Sequence, residues 1–270
     1  MRCKVPPGVP FPGVEMPIHR TQEESVAVLT LELGRSNAIN GAFIEEVNGA
    51  LDALEGDAGV KAVVVTGQGK IFCVGLDLVE TTALEADALA QFVDAFDAMF
   101  LRLATFPKPV VAAINGHAIA GGCLLAMSAD YRVMAAGKAR IGVNEAALGL
   151  SLPSASFEVA RRGIPAASWT EALFEGRLFE AEEALKAGLV HKLAASDVVA
   201  EAVEVGKRLS AGSPKAVRVL KADLVAPLVA SVTAHREERR ARFLGCWNSA
   251  EAQARIGKVR EQLVRKPAGQ

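Results

Sequence analysis

The amino-acid sequence predicts an α/β core followed by an all-helical C-terminal part. Up to residue 152, β-branched runs bounded by glycine or proline alternate with amphipathic segments of helical spacing; from residue 154 onward only the helical period remains. A chain of 270 residues that is 51% hydrophobic and 23% charged can bury a substantial core and does not read as disordered.

Residues 1–24 contain Pro6, Pro7, Pro10, Pro12 and Pro17 and predict an irregular leader, with neither the apolar stretch of a signal peptide nor an amphipathic targeting helix. SVAVLTLEL (25–33) alternates as a strand, and AFIEEVNGALDAL (42–54) has helical spacing. VKAVVVT (60–66) reads as a buried strand closed by Gly67 and Gly69. Residues 83–105, rich in Ala, Leu, Phe and Asp, predict a helix that stops before Pro107 and Pro109. Strand 110–114, helix 121–129, strand 131–135 and a loop to 152 complete the alternating part. The helical part comprises 155–162, 166–175, 180–187, 198–211, a helix opened by Ser213 with Pro214 in its first turn, and a last region from 230 to 265. No internal repeat or low-complexity linker is visible.

Composition excludes several classes of function. Lys and Arg number 30 against 31 Asp and Glu, and the mixed stretch HREERRAR (235–242) reads as a helix face, so nucleic acid is not expected as a partner. No apolar run reaches the roughly 18 residues of a membrane span. Cys3, Cys73, Cys123 and Cys246 are far apart and fit a reduced, cytoplasmic protein better than a disulfide framework. His19, His117, His191 and His235 lack the spacing of a metal site, and no histidine is arranged to activate Cys73 or Cys123 as a nucleophile.

Two glycine turns follow strands. TGQGK (66–70) is not a phosphate loop, because Val64 and Ile71 stand where a glycine and a hydroxyl residue are needed, and Phe72 breaks the dinucleotide pattern. The second turn, in INGHAIAGGCLLAMSAD (114–130), opens a helix and directs free backbone N–H groups outward, where they can stabilise a developing oxyanion. Gly121 and Gly122 equally fit a second reading, in which they let the helix pack closely on its strand.

Three ordered motifs, FCVGLDL (72–78), INGHAIAGGCLLAMSADYRV (114–133) and IGVNEAALGL (141–150), resemble the enoyl-CoA hydratase/isomerase, or crotonase, superfamily. SNAIN (36–40) and EAEEALKAGLVHKL (180–193) support the match, which spans roughly 25–195. Within the superfamily the motifs look most like Δ3,Δ2-enoyl-CoA isomerases. The resemblance implies a spiral of ββα units over 25–195, a helical region at 196–270 used in assembly of a homotrimer or hexamer, and an acyl-CoA thioester as ligand. Coenzyme A would then be part of the substrate, and no further cofactor is expected.

Carried over residue by residue, the resemblance places two oxyanion donors on the backbone N–H groups of Leu76 and Gly121. Hydratases have one catalytic glutamate three residues after the glycine donor, which is Leu124 here, and a second at the position of Glu145. Leucine can neither hold a water nor deliver a proton, so hydration by two carboxylates is in doubt. Double-bond migration needs only one carboxylate, and an apolar pocket including Leu124 is expected to raise the pKa of Glu145. Val74, Gly75, Leu76, Asp77 and Leu78 would line the ligand, with Asn144 beside the base. Asp77 equally fits a turn cap. Phe243 and Trp247, which the family places against a neighbouring subunit or at the CoA pocket, equally fit an amphipathic surface helix. The expected activity is 3-enoyl-CoA to trans-2-enoyl-CoA isomerisation; hydration, and acyl-CoA binding without turnover, are the alternatives.

Overall fold

The computed structural model describes residues 18–34 and 36–265. Two sheets and a set of helices are built from a repeated unit. Strands β2 (Val26–Leu31), β3 (Ala62–Gly67), β5 (Val110–Ile114), β7 (Tyr131–Ala135) and β10 (Lys192–Ala194) run parallel, and β1 (Ile18–Glu23) closes one edge antiparallel to β2. After β3, β5 and β7 the chain enters a short strand of a second sheet: β4 (Ile71–Cys73), β6 (His117–Ile119) and β8 (Arg140–Gly142). In that sheet β9 (Phe179–Glu180) pairs antiparallel with β8.

Each second-sheet strand leads to helix: β4 to α2 (Leu78–Thr81) and α3 (Ala86–Ala104), β6 to α4 (Gly121–Ser128), and β8 to α5 (Ser154–Gly163). Preceding them, α1 (Gly41–Glu55) starts at Asn40, whose side chain accepts a 3.0 Å hydrogen bond from the Phe43 N–H and caps the helix.

Both faces of the inner strands of the larger sheet are covered, which is why β2, β3 and β5 are almost entirely apolar. Ala27, Leu29, Val63, Val65, Val110 and Ala112 point into the main core; Val26, Val28, Ala62, Val64, Val111 and Ala113 alternate with them and meet α7 (Val198–Leu209).

Several expectations are corrected. Of the expected leader, residues 1–17 lie outside the described residues, but 18–23 form the edge strand β1. Only Ile18 in IHRTQE is partly buried, so no alternation marks it, as befits a polar edge. The expected loop to 152 contains β8 and a 3-10 turn (Glu145–Leu148). The helix expected at 166–175 is a 3-10 turn (Ala166–Ser168) followed by a π turn (Thr170–Phe174), ended by Gly176 at φ +62. The segment 180–187 contains α6 (Ala181–Lys186).

The C-terminal part also differs from its outline. Ser213 caps α8 (Pro214–Trp247), which continues through the exposed Pro227 as one helix of 34 residues. It ends at Asn248 and Ser249, where the Ser249 hydroxyl accepts the Ala252 N–H at 3.1 Å and starts α9 (Ala250–Arg265). Among the described residues no helix is long and apolar enough to cross a membrane.

Candidate active site

The site forms where two chain turns touch. Gly75, at φ +86, ends the turn after β4; a Cβ added there would lie 2.8 Å from the Gly121 nitrogen and 2.9 Å from the Ala120 Cβ. Conversely, a Cβ on Gly121 would lie 3.2 Å from the Gly75 Cα. The turn preceding Leu76 and the start of α4 are therefore in backbone contact, and glycine at both positions is what permits it.

Neither Leu76 nor Gly121 donates its N–H to a protein acceptor among the described residues, whereas Gly75 and Asp77 on either side of Leu76, and Ala120 before Gly121, each do. The Ile39 N–H donates to the Gly75 carbonyl (2.7 Å) and the Asp77 N–H to the Ile39 carbonyl (2.9 Å), bracketing Leu76. The Ala120 N–H donates to the Gly142 carbonyl (2.8 Å), and the Ala120 carbonyl accepts the Leu124 N–H (3.1 Å). Ala120 itself sits at φ +51, ψ −124, a conformation that costs a non-glycine residue about 1–3 kcal/mol and that recurs at functional turns. It turns the chain from β6 into α4, so that Gly121 opens a helix N-terminus.

Gly122 has the other role open to this pair: a Cβ there would lie 1.9 Å from the Cys73 carbonyl oxygen, so it lets α4 rest on β4. Close packing of the helix on its strand is thus the use that the structure shows for Gly122.

Glu145 begins the 3-10 turn after β8 and is 8% exposed. Its turn is closed by the Leu150 N–H donating to the Glu145 carbonyl (3.0 Å) and by Gly149 at φ +77. The carboxyl Oε2 is buried without a protein partner. Burial pushes the Glu145 carboxyl up to about 7, against a smaller lowering by its own backbone N–H. Burial, and to a lesser extent the Glu145 charge, raises the Cys123 thiol on the first turn of α4. Burial holds the Cys73 thiol up to about 12, so neither cysteine is a poised nucleophile.

Leu124 is fully buried one turn into α4. Asn144 is half-buried, with its Oδ1 unpartnered and its Cβ against Gly176. Val74 is half-buried beside the donor turn. Asp77 takes its cap reading: Oδ1 accepts the Val79 and Glu80 N–H groups at 3.0 Å each and starts α2. Leu76 and Leu78 pack in a cluster with Leu150, Phe243, Trp247, Ala252 and Ile256. Phe243 and Trp247 are therefore core residues of their own chain, each 3% exposed, and not members of an open surface helix.

Both site loops meet α9 as well. Arg255 donates to the Ala147 carbonyl (2.9 Å), and Arg260 donates to the Thr82 hydroxyl (3.2 Å). No motif or spacing in the sequence marks these two contacts or the strained Ala120.

Known proteins resemble this chain in sequence and fold. The family profile described as enoyl-CoA hydratase/isomerase matches residues 21–263. A probable enoyl-CoA hydratase of Bacillus subtilis is 35% identical over 190 residues, 70% of this chain and 72% of its own. A short-chain-enoyl-CoA hydratase of Clostridium acetobutylicum is 32% identical over 203 residues, 74% of this chain and 77% of its own. Among solved structures, human mitochondrial Δ3-Δ2-enoyl-CoA isomerase superposes with a TM-score of 0.83 at 26% identity, over 90% of this chain and 96% of its own. The chain belongs to the enoyl-CoA hydratase/isomerase family.

Proposed function

We propose that the protein moves the double bond of a 3-enoyl-CoA to the trans-2 position. The observation that carries this reading is a pairing: Leu124, fully buried on the first turn of α4, and Glu145, a buried carboxyl with one oxygen unpartnered. Such a site has one acid/base where hydration by the usual route needs two.

The difficulty of the reaction is the weak acidity of C2. A carboxylate of ordinary pKa near 4.3 is too weak a base, and one raised to about 7 is stronger. In the proposed course, ionised Glu145 takes a proton from C2, and the electron pair passes into the thioester to give a dienolate. The Leu76 and Gly121 N–H groups accept the negative charge on the thioester oxygen, helped by the N-terminal end of the α4 dipole. Protonated Glu145 returns the same proton to C4, so the step is redox-neutral and calls for no cofactor beyond the coenzyme A that the substrate carries. Val74, Gly75, Leu76 and Leu78 would line the ligand, with Asn144 beside the base; Asp77 would act through the loop that it caps.

A second reading, hydration, is favoured by the names of the curated relatives. Replacing Glu145 by Gln and following trans-3-hexenoyl-CoA conversion tests the first reading, and near-normal turnover in the folded variant would sink it. Loss of conjugated absorbance when the parent meets a 2-enoyl-CoA would support hydration instead. Binding across several chain lengths with no product would favour a binder without turnover.

We place the protein in a reducing, cytoplasmic compartment, in keeping with the free thiols of Cys73, Cys123 and Cys246. The homotrimer or hexamer implied by the resemblance finds support in α8, which leaves Val219, Leu220 and Leu224 at 53%, 62% and 72% exposure. Light scattering after size exclusion reads this directly; a monomer at micromolar concentration would overturn it.

A further inference from the structure

The loop that carries Glu145 is tied at its first end to the turn that carries Gly121 and at its other end to α3, which packs against α4. Its first end leaves β8 at Gly142, whose carbonyl accepts the Ala120 N–H at 2.8 Å. Its other end enters α5 at Ser154. That helix has no cap from its own chain neighbour, because Pro153 at the cap position supplies no side-chain hydrogen bond.

The cap comes from α3. One Asp97 oxygen accepts the Ala155 N–H (2.8 Å), and the other accepts the Ser156 N–H (2.7 Å) and the Ser156 hydroxyl (2.8 Å). The residue before it on α3, Phe96, has its Cε2 3.3 Å from where a Cβ on Gly121 would lie. A closed frame therefore runs from Gly121 through Ala120, Gly142, Glu145, Leu150 and Ala155 to Asp97 and Phe96, and back to Gly121.

Asp97 is 5% exposed, and desolvation is the main influence on it. A charge is costly in such a place; three donors and the positive end of α5 offset the cost. A cap drawn from a residue 58 positions away ties two separate elements together, which a local serine or asparagine would not do.

We propose that Asp97 is a positioning residue for the reaction: it fixes the loop of Glu145 relative to the Gly121 N–H and so sets the distance between base and oxyanion donor. This rests on the reading of Glu145 and Gly121 given above.

The test uses Asp97→Glu, which keeps the charge but lengthens the side chain by one methylene, and Asp97→Asn, which turns an amide N–H toward a backbone donor. Three quantities are measured on the full chain: the melting transition, kcat and KM for trans-3-hexenoyl-CoA, and C2 hydrogen–deuterium exchange of hexanoyl-CoA in D2O. A displacement on the order of 1 Å at a reacting centre costs up to about 100-fold in rate. Asp97→Glu should therefore melt cooperatively, keep KM within about threefold and lose about 10- to 100-fold in both kcat and exchange. Rates within twofold of the parent in either folded variant would overturn the proposal. So would failure of both variants to fold, since the carboxylate would then hold the fold and not the loop. The exchange reaction requires only the base and the donors. A parent that exchanges C2 hydrogen but does not isomerise would sink the isomerase reading alone, leaving Asp97 to be judged on exchange.

Discussion

Replacing Glu145 by Gln should stabilise the folded protein while removing its proposed base, and the gain should depend on pH. Burial raises this carboxyl from 4.5 to about 7, so between these values the folded state binds a proton that the unfolded state has released. Stability contributed by this group is therefore present below the unfolded pKa and is lost as pH rises through the folded one. With a shift of about 2.5 units at 1.36 kcal/mol per unit, the loss approaches about 3 kcal/mol at pH 8, against about 1 kcal/mol at pH 5. Glutamine is the neutral isostere and does not titrate. Urea denaturation of parent and variant at pH 5 and pH 8, at one protein concentration, gives the difference directly. The variant's advantage should grow by about 2 kcal/mol between the two pH values. An advantage that is equal at both would refute the claim that the carboxyl is held in a desolvating site, and with it the argument for its enhanced basicity.

The remaining predictions concern the same few ångströms. If ionised Glu145 is the base, kcat/KM for 3-enoyl-CoA should rise about tenfold per pH unit below 7 and level off above it; a flat profile from pH 5 to 8 would exclude it as the titrating group. Leu124→Glu should introduce hydration of trans-2-hexenoyl-CoA, seen as loss of conjugated absorbance, and no hydration in a folded variant would count against the account of this position. Gly122→Ala should destabilise by about 3 kcal/mol or more, because its Cβ meets the Cys73 carbonyl oxygen at 1.9 Å. Gly245→Ala, whose Cβ meets nothing within 4 Å on α8, should stabilise by roughly 0.5–1 kcal/mol, and equal melting shifts for these two variants would contradict the packing argument.

What was legible in the sequence follows from signal length. The strands of the larger sheet are buried on both faces, so 60–66 and 110–114 read as unbroken β-branched runs. Strands β4, β6 and β8 have three residues each, too few for any period to emerge, so the ββα repeat that they create follows from the family resemblance and not from periodicity. Edge strand β1 carries polar residues on both faces and hides behind a proline-rich stretch. Pro227 does not break α8, because it lies on the exposed side of a helix held by Lys221, Val225, Leu228 and Val232, so the loss of one backbone hydrogen bond is outweighed by burial on the other side. For the site, the glycine turns stand out because their chemistry is local, whereas Glu145 stands out only through the resemblance of IGVNEAALGL (141–150). Asp97 and the α9 arginines could not, since their meaning lies in partners 58, 108 and 178 residues away.

The contrast between the hydratase names of the relatives and the isomerase reading comes down to what a scaffold of this kind fixes and what it leaves open. The fold fixes the backbone: Gly75 and Gly121 are held by contacts that leave no room for a side chain, and Ala120 is kept in a strained conformation. On the proposed reading, such a site would stabilise an enolate-like charge whichever bond is to be made next. The side chains around it then decide where a proton or a water is delivered. On that reading a single side chain on the first turn of α4 would choose between adding water and returning a proton, and here that side chain is apolar and fully buried. Overall similarity to hydratases at 30–35% identity samples chiefly the scaffold, whereas position 124 bears directly on the reaction, so the reading follows that position.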